Sequence, residues 1–167
     1  VIAAALVWIS LRDRKLPPLL WSLVFAMILS DDALQVHENL GGWLSQVFDI
    51  PDDTLVYGRD IGELSVFGVM GLVTLAIFGF LLTRRDVATR VMNVRYMLIV
   101  IALGFFGVGL DIVHSIIEHL TGASSFATLV QQTFGMLEDG GEMVVGSIAL
   151  ALTLAGDPVS GPAVEKS

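Results

Sequence analysis

The sequence predicts an all-α bundle of membrane-spanning helices. Of its 167 residues, 54% are hydrophobic and only 16% are charged, whereas soluble domains carry about 25% charged residues. Four apolar segments are long enough to cross the hydrocarbon core, which needs about 20 helical residues. Basic residues cluster in the links between alternate segments, as they do in multi-pass membrane proteins. The net charge of -8 and the lack of a basic patch exclude a nucleic-acid-binding protein.

The predicted helices cover about residues 1–11, 16–44, 60–82, 96–120 and 125–155. The first is too short to cross a bilayer, and we expect it to be the cytoplasmic end of a helix whose start is missing. Arg12, Arg14 and Lys15 follow it directly, whereas the basic residues of a signal peptide precede its apolar run. Residues 156–167 are predicted to form a disordered cytoplasmic tail.

The basic residues predict the orientation of the chain. All except Arg59 fall on one face of the predicted bundle, which the positive-inside rule makes cytoplasmic. They are Arg12, Arg14, Lys15, Arg84, Arg85, Arg90, Arg95 and Lys166. We therefore expect an integral protein of a bacterial inner membrane, in contact with the lipid bilayer, with a cytoplasmic C-terminus.

Acidic and histidine residues occupy the outer part of all four long segments. They are Asp31, Asp32, His37, Glu38, Asp60, Glu63, Asp111, His114, Glu118, His119, Glu138, Asp139 and Glu142. Each ionisable group inside a span costs roughly 2.5–3.5 kcal/mol, and no Lys or Arg lies within these segments. At a rise of 1.5 Å per residue, Asp31, Glu63, Asp111 and Asp139 all lie about 22–28 Å from the cytoplasmic helix ends. One polar layer near the periplasmic side is therefore predicted.

Mutual repulsion in this layer predicts that protons or metal ions neutralise the carboxylates. Asp111 and His114, spaced i and i+3 opposite acids of the last helix, match the chemistry of di-iron and di-manganese bundles, although the usual Glu-x-x-His pair is absent. Without cysteine, the donors are oxygen and imidazole, which favours iron, manganese or zinc. The predicted core ligands are Asp111, His114, Glu138, Asp139 and Glu142. Asp31, Asp32 and Glu63 complete or bridge the site. His37, which points elsewhere if the helix stays regular, and Glu38 form a second tier.

Two short motifs carry a family resemblance. Asp31-Asp32-x4-His37-Glu38, followed by Glu138-Asp139-x2-Glu142, resembles an uncharacterised group of bacterial multi-pass membrane proteins. Members of that group carry an Asp-acidic-x4-His-Glu motif and a late acidic pair followed by Glu. The resemblance covers the second to fifth segments and implies a membrane protein, without a function.

The sequence is compatible with three functions. It does not show whether the chain is an enzyme. The first is a membrane-embedded, dinuclear metal site for oxidoreductase chemistry on a lipid-soluble substrate, or for metal handling. The second is a proton or divalent-cation transporter or channel. It needs a polar path to the cytoplasm, for which the inner halves of the helices offer mainly Ser22, Ser65, Thr74, Ser147 and Thr153. The third is an accessory subunit of a larger membrane complex or homo-oligomer, because a subunit interface is as apolar as a lipid-facing surface.

Two further expectations concern individual residue types. Asp60, Glu38 and His119 lie near predicted helix ends, where water can solvate them without any function. Glycines in lipid-embedded helices allow close backbone approach. Those predicted to do so here are Gly68, Gly71, Gly104, Gly107, Gly109 and Gly146.

Overall fold

The computed structural model describes residues 1–49, 58–110, 112, 113, 116, 117 and 125–155, and the regular elements among them are all helical. Helix α1 covers Ile2–Asp13, α2 Leu16–Leu34, α3 Val36–Val47 and α4 Gly58–Leu82. Helix α5 covers Val87–Gly104 and continues as a π-helical turn over Phe105–Gly109, and α6 covers Ser125–Leu154. The prediction of an all-α bundle is confirmed. The predicted tail over 156–167 lies outside the described residues.

Within the described part of the chain, three helical stretches are long and apolar enough to cross a membrane: Leu16–Leu34, Arg59–Leu82 and Val87–Gly109. Their outer faces are strongly apolar, with Leu72 67% exposed and Leu98 60% exposed. A soluble protein rarely leaves so much apolar surface in water. These helices indicate a membrane protein. Helix α6, predicted as a fourth full span, is not one of the three by composition, and its middle carries Glu138, Asp139 and Glu142.

Two predicted helix boundaries are wrong. The predicted helix over 16–44 is two helices, because Gln35 adopts a left-handed conformation (φ 50°, ψ 46°) and ends α2. The predicted helix over 96–120 begins earlier, at Val87, because Asp86 caps it. The Asp86 Oδ2 atom accepts hydrogen bonds from the amide of Thr89 at 2.9 Å and from its hydroxyl at 2.8 Å. Most of the basic link between the predicted helices over 60–82 and 96–120 is therefore the first part of α5.

A compact apolar core fills the basic end of the bundle. It joins α1, α2, α4, α5 and α6 through the buried residues Leu6, Trp21, Val24, Phe25, Leu81, Tyr96, Ile99 and Ala149. Buried polar groups within it are satisfied, as low-dielectric surroundings require. Trp21 Nε1 donates to Asn93 Oδ1 at 3.1 Å, and Asn93 Nδ2 donates to the carbonyl of Phe78. This core lies at one end of the bundle, and the described acidic residues predicted as metal ligands lie toward the other.

The cap at Asp86 makes the start of α5 sensitive to acid. Hydrogen bonds from Thr89 hold the pKa of the Asp86 carboxyl below its usual range. A group whose folded pKa is lowered stabilises the fold above its unfolded pKa, and this contribution is lost as the pH falls through the folded value. We therefore expect the protection of the amides of residues 87–90, relative to their intrinsic exchange rates, to fall below about pH 4. Asp86→Ala should show low protection at every pH, whereas the native cap protects at pH 7. Equal, pH-independent protection in both proteins would contradict this assignment.

Candidate functional site

The break at Gln35 turns the start of α3 back toward the end of α2. Asp31 is 4% exposed, and both of its carboxylate oxygens contact His37. Oδ1 accepts from the His37 amide at 2.9 Å, and Oδ2 lies 2.9 Å from the His37 Nδ1 atom. The His37 ring packs against Phe67 of α4, with 4.6 Å between ring centroids. His37 was expected to point elsewhere only if the helix stayed regular, and the break at Gln35 removes that condition.

Arg59, at the start of α4, bridges two of the predicted ligands. Its Nη2 atom lies 2.9 Å from Glu38 Oε2, and its Nε atom lies 2.7 Å from Glu63 Oε1. Gln35 donates a further hydrogen bond to Glu38 at 2.9 Å. The sequence assigned Arg59 to a loop and therefore left these acids without a cation. That interpretation is wrong for Glu38 and Glu63.

Helices α3 and α4 approach each other closely at two glycines. A Cβ atom on Gly62 would fall on the backbone carbonyl of Gly41, and one on Gly41 would lie 2.7 Å from the Cα atom of Glu63. No side chain fits between the two backbones at this crossing. The contact holds the start of α3, with His37 and Glu38, beside Arg59 and Glu63 on α4.

Glu142 of α6 lies against the π-helical turn that follows α5. A Cβ atom on Gly107 would fall on Glu142 Oε1. Asp32 and Asp139 both exert electrostatic repulsion on the Glu142 carboxylate. π-helical turns inside α-helices occur frequently at functional sites. The π-helical turn after α5 brings the backbone at Gly107 next to the Glu142 carboxylate, which Asp32 and Asp139 also repel.

These side chains line one open cavity of about 970 Å³ between α2, α3, α4, α5 and α6. Its acidic part is lined by Asp31, Asp32, Glu38, Asp60, Glu63, Glu138 and Glu142, together with His37 and Arg59. Its remaining wall is largely apolar and includes Met70, Leu75, Met97, Val100, Ile101 and Leu103. The cavity is thus acidic in one part and apolar in the other.

The structure brings together most, but not all, of the predicted ligands. Asp139 is exposed and does not line the cavity. Asp111 and His114, with Glu118 and His119, lie outside the described residues. Among the residues that are described, no three His, Asp or Glu side chains form a group that could hold a metal ion.

The hydroxyl groups in the inner halves of the described helices are bound within their own helices. The hydroxyls of Ser22, Ser65, Thr74, Ser147 and Thr153 each donate to a carbonyl of their own helix, three or four residues earlier, at 2.6–2.9 Å. These groups are the ones that a transport path would use. Each of these hydroxyl protons is thus bound within its own helix.

Comparison with known proteins places this arrangement in a family. The family model described as Domain of unknown function (DUF8692) matches residues 1–155. The chain is a member of this family. No curated protein and no solved structure matches the chain. The expectation that the sequence belongs to an uncharacterised family is confirmed.

In this DUF8692 chain, sequence reasoning missed the role of Arg59 and the partner of His37. The signal for Arg59 is its spacing from Glu63, because residues at i and i+4 are neighbours on a helix. No such signal exists for the pairing of Asp31 with His37. It requires a left-handed residue at Gln35, and glycine or asparagine usually occupies such positions.

Proposed function

We propose that this chain is an integral membrane protein that binds divalent metal ions in the acidic part of its cavity. One observation carries the proposal. Carboxylates of α2 and α6 repel each other across this cavity, while the guanidinium of Arg59 on its wall is already shared by Glu38 and Glu63. No donor among the described residues lies within hydrogen-bond distance of Asp32 or Glu142. Negative groups in such a site require a cation or a proton.

In the proposed arrangement, α6 is the fourth membrane span and the acidic part of the cavity faces the periplasm. The basic residues at the opposite end then lie on the cytoplasmic side of a bacterial inner membrane, as the positive-inside rule requires. Glu138 and Glu142 line the cavity from the middle of α6. A span can carry such groups when they face a polar cavity and not lipid.

The described residues divide into ligands and supports. Asp32 and Glu142 are proposed to bind the metal, with Asp111 and His114 completing the ligand set. Glu138 lines the same cavity, but no three described His, Asp or Glu side chains form a metal-binding group by themselves. Asp31 and His37 hold each other, and Arg59 holds Glu38 and Glu63, so these groups orient the site from its rim. Oxygen and imidazole donors favour iron, manganese or zinc.

The size of the cavity favours chemistry on a lipid-soluble substrate over metal handling alone. Pockets for organic ligands measure about 300–1,000 Å³, and this cavity has about 970 Å³. A metal ion would fill only a small part of that space. The apolar wall, with Met70, Met97 and Val100, suits the hydrocarbon part of a membrane-soluble molecule. It does not suit a transported ion, which supports a one-sided site over a channel.

Metal content and affinity test the proposal. The full chain, purified in mild detergent, should contain iron, manganese or zinc in stoichiometric amount by elemental analysis. After chelation, titration with Mn²⁺ or Zn²⁺ should restore binding. Asp32→Asn and Glu142→Gln should each weaken the affinity at least tenfold, since even residues that only orient metal ligands contribute 10–100-fold.

Asp13→Asn is the matched control for these variants. Asp13 is an acid at the other end of the bundle, where it pairs with Arg12 at 3.0 Å, so its loss should leave metal affinity unchanged. The proposal fails if the native chain binds neither Mn²⁺ nor Zn²⁺ after chelation and holds no metal as purified. It also fails if the Asp32 and Glu142 variants bind as tightly as the control.

A further inference from the structure

A second cavity lies at the basic end of the bundle, between α1, the start of α2, α5 and the end of α6. It measures about 400 Å³. Three basic residues from separate parts of the chain line it: Arg12 near the end of α1, Lys15 at the corner before α2, and Arg95 in α5. The corner is fixed, because the Ser10 hydroxyl donates to the Lys15 carbonyl at 2.7 Å. The cavity plays no part in the proposed metal site.

The charges around this cavity leave positive groups unneutralised. Arg12 pairs with Asp13, and Asp86 accepts hydrogen bonds from Thr89. Lys15 forms no ion pair among the described residues, although it is near enough to contribute to the lowered pKa of Asp86. Arg95 is half-buried within a membrane-spanning stretch, and no described carboxylate pairs with it. A half-buried guanidinium without a carboxylate partner is costly inside a membrane span and indicates an anionic ligand.

The remaining wall of the cavity is apolar. Leu6, Ile9 and Met92 line it, and Trp8 stands at its edge with 67% of its surface exposed. Tryptophan with one apolar and one wet side is typical of the membrane interface. A phosphate bound by Arg95 would therefore lie beside a surface that accepts hydrocarbon, which is the arrangement of a phospholipid.

We propose that this cavity binds the phosphate headgroup of an anionic phospholipid, held by Arg95, Lys15 and Arg12, with the upper acyl chain against Ile9 and Met92. Basic pockets between transmembrane helices bind such headgroups. The planar guanidinium of Arg95 can donate two parallel hydrogen bonds to phosphate. The bound lipid joins α1 to α5 at the end of the bundle where the apolar core also lies.

Native mass spectrometry of the full chain in detergent tests the proposal. Phosphatidylglycerol and phosphatidylcholine with identical acyl chains are added at equal mole fraction. One phosphatidylglycerol should remain bound about 25-fold more tightly than phosphatidylcholine, since two unpaired basic groups contribute about fivefold each at the membrane surface. Arg95→Gln and Lys15→Gln should each weaken phosphatidylglycerol binding about fivefold.

Arg85→Gln is the matched control, because Arg85 is an exposed basic residue of the same end that does not line the cavity. It should leave lipid binding nearly unchanged, as should Asp32→Asn at the other end. Lys15 is exposed, so Lys15→Gln keeps the test valid if Arg95→Gln does not fold. Equal binding of the two lipids, or native affinity in both variants, would overturn the proposal. Glycerol phosphate or inorganic phosphate binding as tightly as the lipid would overturn it too, because the acyl chain would then contribute nothing.

Discussion

Gly62→Ala is expected to lower the free energy of unfolding by about 1–3 kcal/mol, the range of a core that is forced to accept extra atoms. The added methyl group would fall on the carbonyl oxygen of Gly41. Backbone atoms cannot rotate away as a side chain can, so α3 must move off α4. Without such a clash, alanine would stabilise the helix by about 1 kcal/mol relative to glycine. A loss of stability therefore indicates that α3 and α4 are in close contact at Gly62. Unfolding of the purified chain in mixed detergent micelles, followed by circular dichroism, measures the difference.

Gly68→Ala in the same helix is the matched control. No atom outside its own helix backbone lies within 4 Å of the position that its Cβ would occupy. It should therefore stabilise α4 by up to about 1 kcal/mol. If the two alanine variants change stability in the same direction, the close approach of α3 and α4 is wrong. The Gly62 variant should also release Glu38 from Arg59, since α3 carries Glu38 and α4 carries Arg59.

The helices were predictable because the apolar runs are long. The errors lie at helix boundaries, where a single residue determines whether the helix ends or begins. Apolar composition identifies a span but cannot locate a break such as Gln35, whose left-handed conformation depends on contacts made by Asp31 and His37. The start of α5 was missed because four arginines suggested a link, although Asp86 and Thr89 form a cap. Local capping chemistry therefore outweighs hydropathy at helix ends.

The glycine predictions fail for a related reason. Gly68, Gly71, Gly104 and Gly146 were expected to allow close packing, and no atom from another part of the described chain comes within 4 Å of their Cβ positions. Gly107 lies against the Glu142 side chain, and Gly109 has only atoms of Gly104 and Phe105 near its Cβ position. The backbones of two described helices approach each other closely at Gly41 and Gly62. The sequence shows where the glycines are. Which of them lie at a contact between two helices depends on where the helices cross.

The candidate site was predictable as a layer and not as a set of contacts. Counting the rise along each helix brought Asp31, Glu63 and the acids of α6 to one level, and residues of α2, α4 and α6 do line one cavity. Their partners could not be counted in this way. Arg59 reaches both Glu38 and Glu63 because α3 folds back over the start of α4. A charge assigned to a loop by hydropathy can thus complete a cluster inside the bundle.

Asp31→Ala is expected to lower the free energy of unfolding by about 2–4 kcal/mol. Two losses add up: a helix N-cap acceptor contributes about 0.5–2 kcal/mol, and a buried polar group left without a partner costs about 1–3 kcal/mol. Asp31 supplies both functions, since it accepts from the His37 amide at the start of α3 and contacts the His37 ring. Chemical unfolding measures the loss, and amide exchange at residues 36–40 should rise first.

Asp31→Asn separates hydrogen bonding from charge. The asparagine oxygen can still accept from the His37 amide, and its amide group can donate to Nδ1 when that atom carries no proton. This variant should therefore retain most of the stability and protect the start of α3, while alanine does not. If asparagine destabilises the chain as much as alanine does, the negative charge of Asp31 stabilises His37, and the hydrogen-bonded cap is not the cause. If neither variant alters exchange at α3, Asp31 does not hold the two helices together.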